Sequence, residues 1–575
     1  VRNLTVSDNC VSGSGGSIGL FIPSENVIIR NNTLQENPGT PRKGIYGIML
    51  YGTSGVLIED NHVVGTNVEL AYRFEDCSRL TITGNTVDSN SDTGMGCLWI
   101  TNSTLSRNTM DKNVYNFWMS PFVLDSGVLP GNKIDKTNLV DGKPVLYFEG
   151  VDDLSIGSPD TPGMVILYAC DNADIRDLTC TANSAGLMAI RSENLTVTNC
   201  SFDQMYCGIL TVASPHLTIR ENHLTDCFDG LMIGNFYGGL VSDNLVENSA
   251  DCGIVTGIYL EDVAIRNNTI DGSIAGIYLD RVSGYNNAVF SGNIIRNTAV
   301  AGFSTDQAEG AILSDNTLEP VSGLGFDISG GSSLNITGNT LAGDAINGIL
   351  LFDSQENTIT SNNLSASENG IILQRRQGDE GSHDNLIADN FITSEKSVLF
   401  CIRGGLGEDA RPPKFISLPV TPVSGIPKII LALEEDSTGP EDFFCSPDTS
   451  PPANAWNFTK TIGTNIVNGP YLGGNYWADP DGAGWSQVTP DRGDGFCNSP
   501  YAFNSKNTDC LPLHLFEGEI PITAPAMIDQ PGNYRLMNDL SNSTTETAIL
   551  IKASDVIVNG NGHTLAGVGS ENTNG

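Results

Sequence analysis

Positive charge is scarce in this chain. It carries 29 Lys and Arg against 67 Asp and Glu, a net charge of −38 over 575 residues. Nucleic-acid binding needs a basic footprint and anionic membrane surfaces attract basic clusters, so the balance excludes both as partners. The same charge keeps a large surface in solution or draws cations to it. Histidine is rare, with six residues, and no Cys-x-x-Cys pair occurs, so zinc-ligand spacing is missing. No apolar run reaches membrane-spanning length; Ile429–Leu433 is typical, and no membrane span is expected. Helical periodicity in Lys, Glu and Ala is missing, as is the dense Leu consensus of a leucine-rich repeat. No signal peptide is present and the chain opens on Val, which marks a processed, truncated or arbitrary boundary. The 13 cysteines are odd in number, so at least one thiol is unpaired within the chain.

What is present is repetition. Leu334–Leu341 reads LNITGNTL, and the pattern returns at Ile82–Val87, Ile219–Leu224 and Ile265–Ile270. Its Asn serves as a ruler: Asn9, Asn32, Asn61, Asn85 and Asn108, then Asn222, Asn244, Asn268, Asn293, Asn316, Asn339, Asn362 and Asn390. Most steps are 22 to 25 residues, a solenoid period. At about 3.3 Å per strand residue, one coil holds three short strands and their turns. No coil buries its apolar positions alone, so coils stack about 4.8 Å apart, and Asn side chains at matching positions form ladders. Gly-Ile pairs (Gly208-Ile209, Gly348-Ile349, Gly370-Ile371) mark a second bend. The expected fold is all-β: a right-handed parallel β-helix of three sheets with about 23 residues per coil.

Three regions follow. Residues 1–403 are coils, with the ruler lost over 114–163, where Asp141-Gly142 between apolar runs signals a hairpin in an outward excursion. Cys200 takes the ladder position that Asn222 fills one coil later. Residues 404–520 are a Pro- and Gly-rich end segment whose prolines stop further pairing. Within it Cys497 and Cys510 bracket a polar loop and are expected to form a disulfide. Asp479, Asp481, Asp491 and Asp494 crowd with Gly in the same stretch and are candidate Ca²⁺ ligands, against a plain acidic surface loop.

The coil repeats, the DGKPVLYF segment and above all the GGNYW…PY…D…PL tail resemble the NosD-type parallel β-helix proteins, common as extracellular surface proteins of methanogenic archaea. The resemblance spans nearly the whole chain. In that family the tail carries a denser acidic run that looks calcium-ligating. Here it thins to Asp491-Arg492-Gly493-Asp494-Gly495 followed by Cys497, which implies that a disulfide has taken over the stapling. No Met/His/Cys constellation corresponds to the copper in the family's name.

Residues 521–575 resemble the start of a β-helix: a strand over Asn533–Met537, then a coil containing VIVNGNGHTL. With Asn561 as ladder residue, the run through Gly575 and on from Val1 to Asn9 makes one 23-residue coil. The chain is therefore expected to be a structural extracellular unit joined head to tail with copies of itself, in tandem or docked, as a filament, sheath or cell-surface layer. Sequons at Asn3, Asn31, Asn102, Asn194, Asn199, Asn267, Asn335, Asn363, Asn457 and Asn542 are glycosylation candidates on such a surface. The alternatives are a polysaccharide lyase or epimerase and a carbohydrate-binding adhesin, with cell-surface glycans as partners. The enzyme's best residues are Arg375, Arg376, Asp379, Glu380, His383 and Asp384, which otherwise form a charged bulge loop. Asp226, Asp229 and Asp251 stack in consecutive coils without a basic partner, and His216 and His223 read as turn and ladder residues. The adhesin would stack sugars on Trp99, Trp118, Trp456, Trp477 or Trp485, although Trp477 and Trp485 suit packing of the tail.

Overall fold

A computed structural model describes the chain except residues 1, 13–17, 22–23, 36–43, 66–67, 91–92, 121–128, 159–160, 235, 258–259, 280–286, 344, 404–444, 516–519, 529–531, 542–547, 553–555, 561 and 567–575. It is a parallel β-solenoid of about 23 residues per coil. The described residues fall into two compact units, one within Val1–Gly331 and one within Ser332–Gly404 and Cys445–Gly575.

In the first unit each early coil contributes a strand to each of three faces. Thr5–Ser7, Val27–Arg30, Val56–Glu59, Thr81–Thr83 and Thr104–Ser106 pair in parallel on the first. Cys10–Ser12, Thr33–Gln35, His62–Val64, Thr86–Asp88 and Thr109–Asp111 form the second. Longer strands such as Val68–Glu75 and Thr93–Leu98 form the third. Alternation along these strands sends β-branched residues inward: Val27, Ile29, Val56, Ile58 and Ile82 are all buried. Each such side chain contributes about 1.5–3 kcal/mol relative to exposure.

The bend between the first two faces explains the ruler. Asn61 donates from Nδ2 to Oδ1 of Asn85 at 3.0 Å, and its backbone N–H reaches the same oxygen at 3.1 Å. The same Nδ2 donates to the carbonyls of Glu59 and Ile29. One buried amide thus satisfies the backbone groups that the bend releases. The left-handed backbone belongs to the residue before it: Asn31, Asp60, Gly84 and Arg107 have φ of 53°, 52°, 68° and 56°. The two jobs of the bend are divided between neighbours. The side chain of one carries the ladder, and the backbone of the other makes the turn.

The spacing is delayed, not lost, after residue 114. Asn108 donates to Asn138 Oδ1 at 2.7 Å, 30 residues on. Leu139–Val140 then pairs antiparallel with Lys143–Glu149 through Asp141 and Gly142, whose positive φ values suit a tight hairpin turn. Lys143–Glu149 pairs in parallel with Met164–Tyr168 and the spiral resumes. Cys200 does sit on the ladder, its N–H donating to Asn222 Oδ1 at 3.0 Å.

In the second unit Asn339, Asn362 and Asn390 continue the pattern. The end segment is not separate from the stack. Asn390 donates to Asn475 Oδ1 at 2.9 Å, Asn385 to Asn454 Oδ1 at 2.9 Å, and Phe391–Thr393 pairs in parallel with Tyr476–Ala478. The described residues between 520 and 566 form three small parallel faces. Ile520–Ile522, Gly532–Leu536 and Val556–Asn559 make one face, Ala526–Ile528 with Ile549–Ile551 the second, and Leu540–Ser541 with Leu565–Ala566 the third. Ile522, Ile528, Tyr534, Leu536 and Leu540 are their core.

Candidate functional site

The apolar edge of that last piece is the most conspicuous surface of the second unit. Val556–Asn559 pairs on one side with Gly532–Leu536, and among the described residues no strand lies on its other side. Ile557 is 65% exposed, and Ile551 and Leu565 are 50% exposed. In the first unit Thr5–Ser7 pairs only with Val27–Arg30 among the described residues, leaving Leu4, Val6 and Val11 half-buried and Cys10 exposed. Asn561, Gly575 and Val1, which carry the expected join in register, lie outside the described residues.

The tail ends the Asn ladder with an acid. Asp509 Oδ2 accepts the N–H of Asn475 at 2.8 Å and Nε1 of Trp477 at 2.9 Å, while Oδ1 accepts the N–H of Leu511 at 3.0 Å. A Cβ on Gly474 would lie 1.9 Å from Asp509 Oδ1, so the second Gly of GGNYW is obligatory there. Tyr476 stacks on Phe391 at 4.7 Å, and Trp477 packs with Trp456 and Phe503. Burial pushes the Asp509 carboxyl up to about 7, against the opposing pull of its three donors.

The calcium set does not assemble. Asp479 Oδ1 accepts the N–H of Asp481, and Asp481 Oδ1 that of Ala483. Asp491 Oδ1 accepts the N–H groups of Gly493 and Gly495, and Asp494 is paired with Lys460 at 2.6 Å and Arg492 at 2.9 Å. These acids close their own turns or neutralise cations and converge on no common point. The expected disulfide is absent too: Cys497 and Cys510 are free thiols. Cys497 is buried opposite Pro512, whose carbonyl accepts its N–H at 2.8 Å, and Cys510 is exposed. The register places the two cysteines away from facing positions.

The charged loop after Asn369–Arg376 is bound up in ion pairs. Arg375 grips Asp448 through Nε at 2.5 Å and Nη2 at 2.9 Å, holding that carboxyl below its usual range. Arg376 faces Asp353 at 3.7 Å and the ring of Phe352. His383 meets Asp384 and Glu380, and Arg375 Nη1 donates to the Asp379 carbonyl. Both arginines are already neutralised, which is the bulge-loop arrangement. None of the five tryptophans is exposed: Trp118, Trp456 and Trp477 are buried, Trp99 and Trp485 half-buried, and Trp485 stacks on Tyr501 at 4.8 Å. Trp118, Trp456 and Trp477 are therefore closed to stacking on sugars. His223 pairs with Glu247 at 2.6 Å, and His216 packs against Tyr237.

The sequons divide by position. Asn3, Asn31, Asn102, Asn194, Asn199 and Asn267 are exposed at left-handed corners, and Asn363 is exposed in a strand. Asn335 and Asn457 are half-buried, and Asn542 lies outside the described residues.

One further cluster is buried. Ligand atoms of Asp229, Asp251 and Cys252 lie within 4.8 Å of one another, the single such group among the described residues. Burial, with the neighbouring Asp251 carboxyl, holds Asp229 well above the usual range, and burial pushes Asp251 up to about 6. The sequence stacks the two acids; that Cys252 joins them becomes visible only when the register aligns the coils. Asp226 is not part of this group.

The family model described as periplasmic copper-binding protein (NosD) matches residues 1–143, 138–319, 282–404 and 445–482. The chain belongs to the NosD family. No curated protein matches it. Among solved structures, this NosD chain is similar to the tailspike protein of E. coli bacteriophage HK620 in complex with pentasaccharide, at 11% identity, over 69% of this chain and 71% of that chain, with a TM-score of 0.30. It is also similar to the Azotobacter vinelandii mannuronan C-5 epimerase AlgE4 A-module, at 13% identity, over 59% and 91% of the two chains, with a TM-score of 0.19. The family's description is periplasmic, which marks an exported family, and no helix among the described residues is long and apolar enough to cross a membrane. The one group assembled among the described residues does not fit copper(I). Copper(I) takes thiolate, thioether and imidazole ligands, whereas the assembled group offers two hard carboxylates to one sulfur.

Proposed function

We propose that this NosD-family chain is a structural unit of a cell-surface or extracellular assembly that extends by laying one β-helix coil on another, the covering coil coming from a further copy of the same repeat. The exposed apolar edge formed by Ile551 and Leu565, in register with the buried Ile528 and Leu540, carries this reading. An uncovered parallel edge pairs with whatever strand reaches it, and natural sheets normally blunt such edges with charge or proline. Here apolar side chains stand along it. A coil placed there would cover them and complete the pairing of Val556–Asn559. Contact between unlike ends does not close on itself, so it generates filaments or arrays. Exposed corner asparagines leave the flanks open to glycans, consistent with an outward-facing scaffold.

Negative-stain imaging of the purified full chain over a concentration series tests the proposal. Particles whose lengths are multiples of one unit, growing with concentration, are expected. A single length at every concentration would overturn it.

A further inference from the structure

The group at Asp229, Asp251 and Cys252 is independent of the stacking edge. Asp229 sits in the strand Asp229–Gly234, and Asp251 and Cys252 sit one coil later, at the entry to Cys252–Thr256. All three are at most 2% exposed. The N–H of Cys252 donates to Asp229 Oδ1 at 3.2 Å, which fixes that carboxyl and leaves Oδ2 free. Asp229 Oδ2 and Asp251 Oδ1 are buried and lack a hydrogen-bond partner, as are the hydroxyls of Ser249 and Ser273. Cys207 is the strand partner of Asp229 on the opposite side from Cys252. Two carboxylates with unused oxygens and no basic partner are costly inside a protein unless a cation or protons compensate them.

We propose that Asp229, Asp251 and Cys252 bind one divalent transition ion of borderline softness, zinc in chemical type. Mixed oxygen and sulfur donors select this class. A calcium site uses six to eight oxygens at about 2.3–2.6 Å, and a copper(I) site avoids carboxylates. On binding, the Cys252 thiol loses its proton to solvent and becomes the metal-bound thiolate, while the two carboxylates supply the remaining charge. Because the donors come from consecutive coils, the ion staples one coil to the next within the first unit.

The test uses the reduced, chelator-stripped full chain with cobalt(II) chloride as optical probe and zinc chloride in equilibrium dialysis. One ion per chain is expected, with a near-ultraviolet thiolate-to-cobalt band that disappears in Cys252→Ser. Binding should weaken about tenfold or more in Asp229→Asn and Asp251→Asn. Cys200→Ser, at a buried cysteine on the Asn ladder, should retain the band. Zinc should also raise the thermal midpoint of the wild-type chain, a readout that needs no variant to fold. Absence of stoichiometric binding by the wild type, or a band that survives Cys252→Ser, would overturn the site.

Discussion

Two strands with nearly the same sequence behave differently. Val27–Arg30 reads VIIR and Val556–Asn559 reads VIVN. In the first, Val27 and Ile29 are buried and Ile28 is half-buried; in the second, Val556 and Val558 are only half-buried and Ile557 is exposed. The difference lies in the neighbours. Val27–Arg30 has Thr5–Ser7 on one side and Val56–Glu59 on the other, whereas Val556–Asn559 has Gly532–Leu536 alone among the described residues. A coil of this repeat carries the pattern for a core but not the core itself. The core is completed by whatever stacks on it.

The sharpest way to break the body of the stack is through its inner amides. Asn268→Ala removes the acceptor of Asn244 and the donors to Asn293, Arg266 and Val241. It leaves buried groups unsatisfied, and a loss of about 3 kcal/mol is expected in denaturant unfolding followed by circular dichroism. Asn267→Ala, one residue away at φ 56° and exposed, should cost only about 1 kcal/mol from the left-handed backbone.

The end of the ladder has its own signature. The Asp509 carboxyl is raised to about 7 in the fold from an ordinary value near 4. The folded state therefore holds this proton more tightly than the unfolded chain. Its contribution is full below the unfolded value and is lost as pH rises through about 7. The tail should lose on the order of 2 kcal/mol between pH 4.5 and pH 8, and Asp509→Asn should flatten that dependence. An equal slope in the variant would show that other groups set it.

Ion pairs sharpen the contrast on a smaller scale. The Arg375 and Asp448 side chains are 17% and 3% exposed, so Arg375→Met should destabilise the second unit by about 1–2 kcal/mol. The Arg492 side chain is 44% exposed beside Asp494, and Arg492→Met should change stability by less than about 0.5 kcal/mol. Thermal midpoints of the two variants, measured side by side, check the ranking.

Much of the fold is legible because a 23-residue spacing recurs wherever coils are uninterrupted. Asn61, Asn85 and Asn108 announce themselves. Asn138, Asn454 and Asn475 do not, because a hairpin or a long excursion intervenes before the coil closes and spacing no longer counts coils. The Asp-rich turns mislead for another reason. Asp-Gly sequences that suit a metal loop equally suit side chains capping their own amides, as Asp491 does for Gly493 and Gly495. Cys252 escapes notice because nothing local distinguishes it. Its neighbours are set by register, and only a three-dimensional stack brings Asp229 beside it.

Sedimentation velocity of the wild-type chain and of Ile551→Lys, over the same concentration series, tests most directly whether an uncovered coil edge is the working surface. Ile551 is half exposed in the folded unit, so the substitution falls on the uncovered end and not on its packed core. End-to-end growth in the wild type and a single slow species in the variant are the predicted result. A wild type that stays a single species, or a variant that grows as readily, would contradict it.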